Sequence, residues 1–152
     1  MKVALINNIY PPYDRGGAEQ VVVKTVAGLR AAGHQVVVIT TTPGKPQTEV
    51  SAPDLTLYHI HPRNLFFYTD AHQHNAVARF VWHLVDIFNV SAARAVKEIL
   101  AREKPDVVHT HNLMGLSFLV PRAIRQSGRR HVHTVHDVQL VEPSGMILKA
   151  RE

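Results

Sequence analysis

Residues 2–33 read KVALINNIYPPYDRGGAEQVVVKTVAGLRAAG, and this stretch decides the fold. Lys2 to Asn7 is a short, nearly unbroken apolar run, the pattern of a strand buried on both faces of a parallel sheet. Pro11 and Pro12 then forbid a continuing strand. Gly16 and Gly17 open a helix in which Ala18, Val22, Val26 and Leu29 recur on one face, and Gly33 fits its left-handed cap. At the Gly16-Gly17 junction no Cβ shields the backbone, and the first amides of the helix lack intrahelical partners. Two readings follow: a seat for a phosphate group, or simply a tight turn. The spacing is neither G-x-G-x-x-G nor G-x-x-x-x-G-K-[ST], so neither NAD nor ATP is favoured.

Working outward, residues 34–42 (HQVVVITTT) form a β-branched second strand, ended by Pro43, Gly44 and Pro46. Residues 45–54 are polar and read as a surface loop. Residues 55–61 (LTLYHIH) alternate as a third strand near a sheet edge, stopped by Pro62. Val77, Phe80, Val81, Leu84, Val85 and Phe88 give a helical stripe, expected to be the face that covers the sheet. Ser91 is placed to cap a further helix carrying Val96, Ile99 and Leu100, which Pro105 ends. Residues 75–103 thus hold two helices, or one bent helix. A fourth strand, DVVHTH, covers 106–111; residues 113–127 read as a helix with Pro121 near its first turn or at a kink; RRHVHTVH, 129–136, feeds a fifth strand. Residues 138–152 show no clear period.

Strands alternating with helices predict a Rossmann-like, doubly wound α/β domain, with a mainly parallel sheet and helices on both faces. The boundaries expected are 1–137 for this domain and 138–152 for a C-terminal segment leading into further sequence. Ligands of such sheets sit at the carboxyl ends of the strands. Those ends carry residues 7–17, 40–42, 109–113 and 134–137, three of them rich in polar side chains.

The chain has 152 residues, a hydrophobic fraction of 45 % and no cysteine, which fits one globular domain without disulfides or thiolate chemistry. No run approaches a membrane span, and no signal peptide precedes the first strand, so a cytoplasmic location is expected. The formal net charge of +5 suits phosphate-rich partners. Nucleic acid is not favoured: zinc-finger spacing, an RNP-like strand and a dense Lys/Arg block are all missing. A lipid interface is an alternative use of the aromatic stretch, through Phe66, Phe67, Arg79 and Trp82.

Eleven histidines supply the candidate chemistry. His59/His61, His109/His111 and His131/His133 are i, i+2 pairs and share a face of their strands. A zinc site is one reading, but no carboxylate or cysteine is spaced to complete it, so no metal is expected. Ligand contact, foremost by His136, is the second; a buried structural imidazole is the third. Asp137 caps the next segment, orients a ligand or simply makes a turn. Arg15 either pairs with phosphate or is solvated, and Glu19 suits the helix dipole. No nucleophile elbow is present.

INNIYPPYDRGGAEQVV, LRAAGHQVVVITT, KPDVVHTHNLMGL and HTVHD, in that order, together resemble the N-terminal half of family 4 glycosyltransferases with the GT-B fold. The resemblance implies retaining transfer of a sugar from a nucleotide-sugar to an acceptor, with no cofactor and no required metal. It maps the donor diphosphate onto Gly16 and Gly17, the donor-sugar contact onto His136, and acceptor contacts onto Tyr13, Arg15, His111 and Asn112. The acceptor is a sugar, a lipid-linked group or a small molecule, and the implied location extends to the inner membrane surface with peripheral membrane contact. A second Rossmann-like domain normally binds most of the nucleotide and carries E-x7-E, a pattern these 152 residues lack. The chain is therefore expected to be inactive alone, and the face turned to the second domain to be left apolar and exposed, or dimeric. The alternative function is a non-catalytic Rossmann-like module that binds a phosphorylated or nucleotide ligand.

Overall fold

The computed structural model describes residues 1–13 and 16–136. Arg15, Asp137 and the segment 138–152 lie outside the described residues. The strands are β1 (Lys2–Ile6), β2 (Gln35–Thr41), β3 (Gln47–Ala52), β4 (Leu55–Ile60), β5 (Val107–Thr110) and β6 (Arg130–His133). The helices are α1 (Gly17–Ala31), α2 (Ala76–Ile87), α3 (Val90–Glu103) and α4 (Val120–Gln126), with a 3-10 helix at Tyr68–Gln73. The sheet runs β3-β4-β2-β1-β5-β6 and is parallel except for β3, which pairs antiparallel with β4.

The apolar runs explain both faces. Alternate side chains of a strand point to opposite sides, so Val3, Leu5, Val36 and Val38 pack with Val22 and Val26 of α1. Ala4, Ile6, Val37 and Ile39 pack on the other side with Val96 and Leu100 of α3 and Val120 and Ile124 of α4. This is the doubly wound α/β arrangement read from the sequence. Gly33 adopts φ +76°; its N–H donates to Arg30 O, and that of His34 to Leu29 O, so α1 closes with a Schellman motif.

The structure corrects four expectations. Residues 47–52 are a strand, not loop: β3 is an edge strand whose side chains are almost all exposed, so no apolar alternation marks it. It also puts β4 inside the edge. Helix α4 begins only at Val120 with Pro121 in its first turn, because Gly115 at φ +86° breaks residues 113–119 into turns. Asn89, not Ser91, caps α3; its Oδ1 accepts from Ala92 N–H and from the Ser91 hydroxyl.

The fourth correction concerns α2, which does form separately from α3. Its apolar stripe faces away from the sheet: Phe80 is 64 % and Phe88 66 % exposed, and Val77, Leu84, Val81 and Val85 are exposed too. Trp82 and Asp86 are buried instead. Trp82 Nε1–H donates to Phe66 O at 2.8 Å, and the Asp86 carboxylate accepts from Gly115 N–H at 2.9 Å. These bonds turn the helix over, while α3 and α4 already cover that face of the sheet. Trp82 is thus an interior anchor and not a lipid contact.

Candidate functional site

Chain order departs from spatial order between β1 and β5, since β2 follows β1 on one side and β5 flanks it on the other. Such a reversal opens a crevice at the strand tips. The loops after β1 and β5 are latched there: Asn8 N–H donates to Asn112 O and His111 N–H to Ile6 O. Asn7 Oδ1 accepts from Asn112 N–H, and Asn8 O accepts from Thr41 N–H and the Thr40 and Thr41 hydroxyls. Buried polar groups need partners, so Asn7 and Asn8, both buried, spend theirs fixing the rim.

Gly16 is the N-cap of α1 and supplies no side-chain cap, which leaves the first-turn amides without that partner. Glu19 occupies the N3 position, from which a carboxylate reaches back over the helix start; its Oε2 would lie 3.2 Å from a Cβ at Gly16, whereas a Cβ at Gly17 would meet nothing within 4 Å. Beside this start, Ile9, Gly16, Glu19, Tyr68, Thr69 and His72 line a cavity of about 420 Å³. The Tyr68–His72 side of it was not anticipated, because residues 63–74 carry no period or motif.

Five of the histidines, His109, His111, His131, His133 and His136, lie on β5, β6 and the loops after them, toward the same rim. His136 lies beyond the end of β6, two strands from β1, or about 10 Å across the sheet. His111 Nδ1 and His136 Nε2 are 2.8 Å apart. His111 is 1 % exposed and its Nε2 is buried without a partner. Burial, aided by the charges of His109, His136 and His133, pushes its pKa from 6.5 down to about 3. The i, i+2 pairs do share faces: the His109 and His111 rings lie 4.3 Å apart, and the Thr110 hydroxyl sits between His131 Nε2 and His133 Nδ1. Burial lowers His109 and His131 as well. Among the described residues no group of three or more His, Cys, Asp or Glu side chains is arranged to hold a metal ion.

Of the other candidates, Asn112 is half-buried, Tyr13 is exposed with its N–H on Tyr10 O, and Arg15 lies outside the described residues. Gly16, Gly17, Asn112, His111 and His136 therefore share one rim. The His111–His136 contact joins two loops and has no signal in the linear sequence.

An uncharacterized 42.6 kDa protein in the cps region of Klebsiella pneumoniae is 29 % identical over 149 residues, covering 98 % of this chain and 40 % of that protein. This chain thus spans well under half of that relative. The fold is similar to that of a sucrose-phosphate synthase from Thermosynechococcus elongatus (TM-score 0.57, 19 % identity, 95 % of this chain and 68 % of that one). It is similar also to the catalytic domain of starch synthase IV from Arabidopsis thaliana bound to ADP and acarbose (TM-score 0.54, 18 % identity, 91 % of this chain and 34 % of that one). Residues 15–151 match the model of Glycosyltransferase Family 4, and the chain belongs to that family.

Proposed function

We propose that this domain forms one wall of the crevice of a retaining glycosyltransferase, which moves a sugar from a nucleotide-sugar to an acceptor. The observation that carries the reading is the start of α1 at Gly16-Gly17, where the N-cap residue brings no side chain, on the same rim as the His111–His136 pair. In the transfer, the bond from the sugar to the nucleotide phosphate breaks, a bond to the acceptor oxygen forms, and the acceptor hydroxyl's proton passes to the departing diphosphate. Negative charge grows on the departing diphosphate. Outward N–H groups at a helix start stabilise such charge, and at Gly17 no Cβ stands beside them.

His136 contacts the donor sugar in this account, and His111 acts through it. An orphaned buried N–H is costlier and rarer than an orphaned acceptor, so the His111 proton belongs on Nδ1, with the bare Nε2 as the unpartnered atom. His111 Nδ1–H then donates to His136 Nε2, and His136 presents Nδ1–H as a donor to a hydroxyl. Tyr13, Arg15 and Asn112 are the acceptor contacts; His111, 1 % exposed, serves as a positioning residue. The opposite wall comes from a second Rossmann-like domain, a reading supported by the 40 % span on the relative. One wall cannot exclude water or align both substrates, so this domain alone is expected to turn nothing over.

The test is a transfer assay on the full-length protein with UDP-, GDP- and ADP-sugars, reading nucleotide release. His136→Ala should lower kcat about a hundredfold. Turnover unchanged by His136→Ala, or full turnover by residues 1–136 alone, overturns the reading.

A further inference from the structure

The cavity beside the start of α1 holds a buried carboxylate that the protein leaves without a partner. Glu19 is 6 % exposed and lines this space of about 420 Å³ with Ile9, Gly16, Tyr68 and His72. Among the described residues its carboxylate takes no hydrogen bond and no ion pair. A buried carboxylate without donors is costly. The positive end of α1 favours its charge, but the oxygens still lack donors, and the cavity is where donors can reach them. Glu19 stands on the Gly16 side of the helix start, where its Oε2 would lie 3.2 Å from a Cβ, whereas the Gly17 side is open.

The facing wall is held in place from two directions. Residues 63–74 carry no period, yet Trp82 of α2 pins them: its Nε1–H donates to Phe66 O at 2.8 Å, and its carbonyl accepts from Asn64 Nδ2–H at 3.2 Å. The Tyr68 and Trp82 rings lie 6.2 Å apart. On another side Tyr68 rests against Gly115, where a Cβ would stand 3.0 Å from that of Tyr68. Gly115 belongs to the turn that follows His111 and Asn112, so this wall and the crevice rim are joined. Helix α2 thus turns Trp82 inward to buttress the cavity.

The polar heads at the cavity define what it can take. His72 Nδ1–H donates to Thr69 O at 3.1 Å; a carbonyl only accepts, so the neutral ring keeps Nε2 as an acceptor. A carboxylate and a bare imidazole nitrogen together call for a ligand rich in donors and repel an anion. A cation is disfavoured by the adjacent positive helix end. Hydroxyl groups meet both conditions, and Ile9 and Tyr68 offer apolar surface to the carbon skeleton that carries them.

We infer that this cavity binds an uncharged sugar through Glu19, with His72 as a second contact, and so selects a neutral sugar over a phosphorylated one as the glycosyl acceptor. The role of acceptor rests on the functional reading above; the binding does not.

The test is titration of the full chain, followed by nuclear magnetic resonance, with the methyl glycosides of glucose, galactose and mannose and with the 6-phosphates of the same hexoses. At least one methyl hexoside should bind at least about tenfold more tightly than the matching phosphate. Glu19→Gln removes the charge and one acceptor oxygen; it should weaken that hexoside about tenfold and narrow the preference against phosphate. With no protein partner to lose, this variant should melt no lower than wild type. His72→Ala, at an exposed position, should weaken the hexoside about threefold and gives a second reading should Glu19→Gln not fold. Gly17→Val should bind the hexoside like wild type, which separates this site from the donor site. No saturable binding of any hexoside, equal affinity for hexoside and phosphate, or variants that bind like wild type would overturn the inference. A lowered melt with unchanged binding in Glu19→Gln would do so too, by assigning the carboxylate to folding. Hexoside binding that Glu19→Gln loses, in a full-length protein that transfers nothing, would uphold the site and overturn only its role as acceptor site.

Discussion

His111 gives a pH dependence whose size follows from its burial. Its imidazole falls from 6.5 to about 3 on folding because burial disfavours the cation. Below pH 6.5 the unfolded chain takes up this proton and the native one does not, so acid favours unfolding. The contribution is complete above 6.5 and is lost progressively as pH falls toward 3. At about 1.4 kcal/mol per pH unit the whole window is worth on the order of 5 kcal/mol, and the part between pH 6.5 and 5 about 2 kcal/mol. His111→Gln keeps a polar side chain without the titration. Urea unfolding of both proteins at pH 7.5 and pH 5 should show wild type losing about 2 kcal/mol more than the variant over that interval. Other titrating groups, His109 and His131 included, are present in both proteins and cancel in the comparison. Parallel losses would refute the view that His111 is held neutral beside His136.

Asp86 acts with the opposite sign: burial raises its carboxyl from 3.8 to about 6, so its stability contribution is full below 3.8 and lost as pH rises through 6. Asp86→Asn removes this titration, so its urea midpoint should fall less than that of wild type between pH 5 and pH 8; a parallel fall would contradict it. The orientation of α2 is checked by the sole tryptophan, Trp82, which is 3 % exposed: its emission should be blue-shifted and resist acrylamide, and a water-exposed spectrum would mean the stripe faces inward. Asn89→Ala removes the cap of α3 and the bond to Arg63 O and should cost about 1–2 kcal/mol in a thermal melt; an unchanged melt would show the cap to be dispensable.

The parts of the fold legible in the sequence are those where one residue pattern has one cheap solution. KVALI and QVVVITT cannot be buried except in the middle of a covered sheet, and the glycine after α1 closes it in the conformation glycine allows. Strand β3 was hidden because QTEVSA buries almost nothing. The α2 stripe was read correctly as helical but with the wrong face inward. Periodicity locates an apolar face without saying which way it points, and here Trp82 and Asp86 outweighed it through bonds to distant loops. At the site, the glycine pair and the strand-tip histidines stood out as motifs. The His111–His136 contact and the Tyr68–His72 wall depend on loop paths that no spacing encodes.

The account's central claim is that the glycine-lined start of α1 receives a diphosphate. Calorimetric titration of the full-length protein with UDP, GDP and ADP and their sugars tests it through Gly17→Val. Because a Cβ at Gly17 would meet nothing within 4 Å among the described residues outside its own turn, the variant should fold and melt like wild type, and its added bulk should be felt by the ligand. The account predicts affinity lower by at least about tenfold, roughly 1.4 kcal/mol, with Gly28→Ala on the same helix binding like wild type. Equal affinity for Gly17→Val and wild type would contradict it.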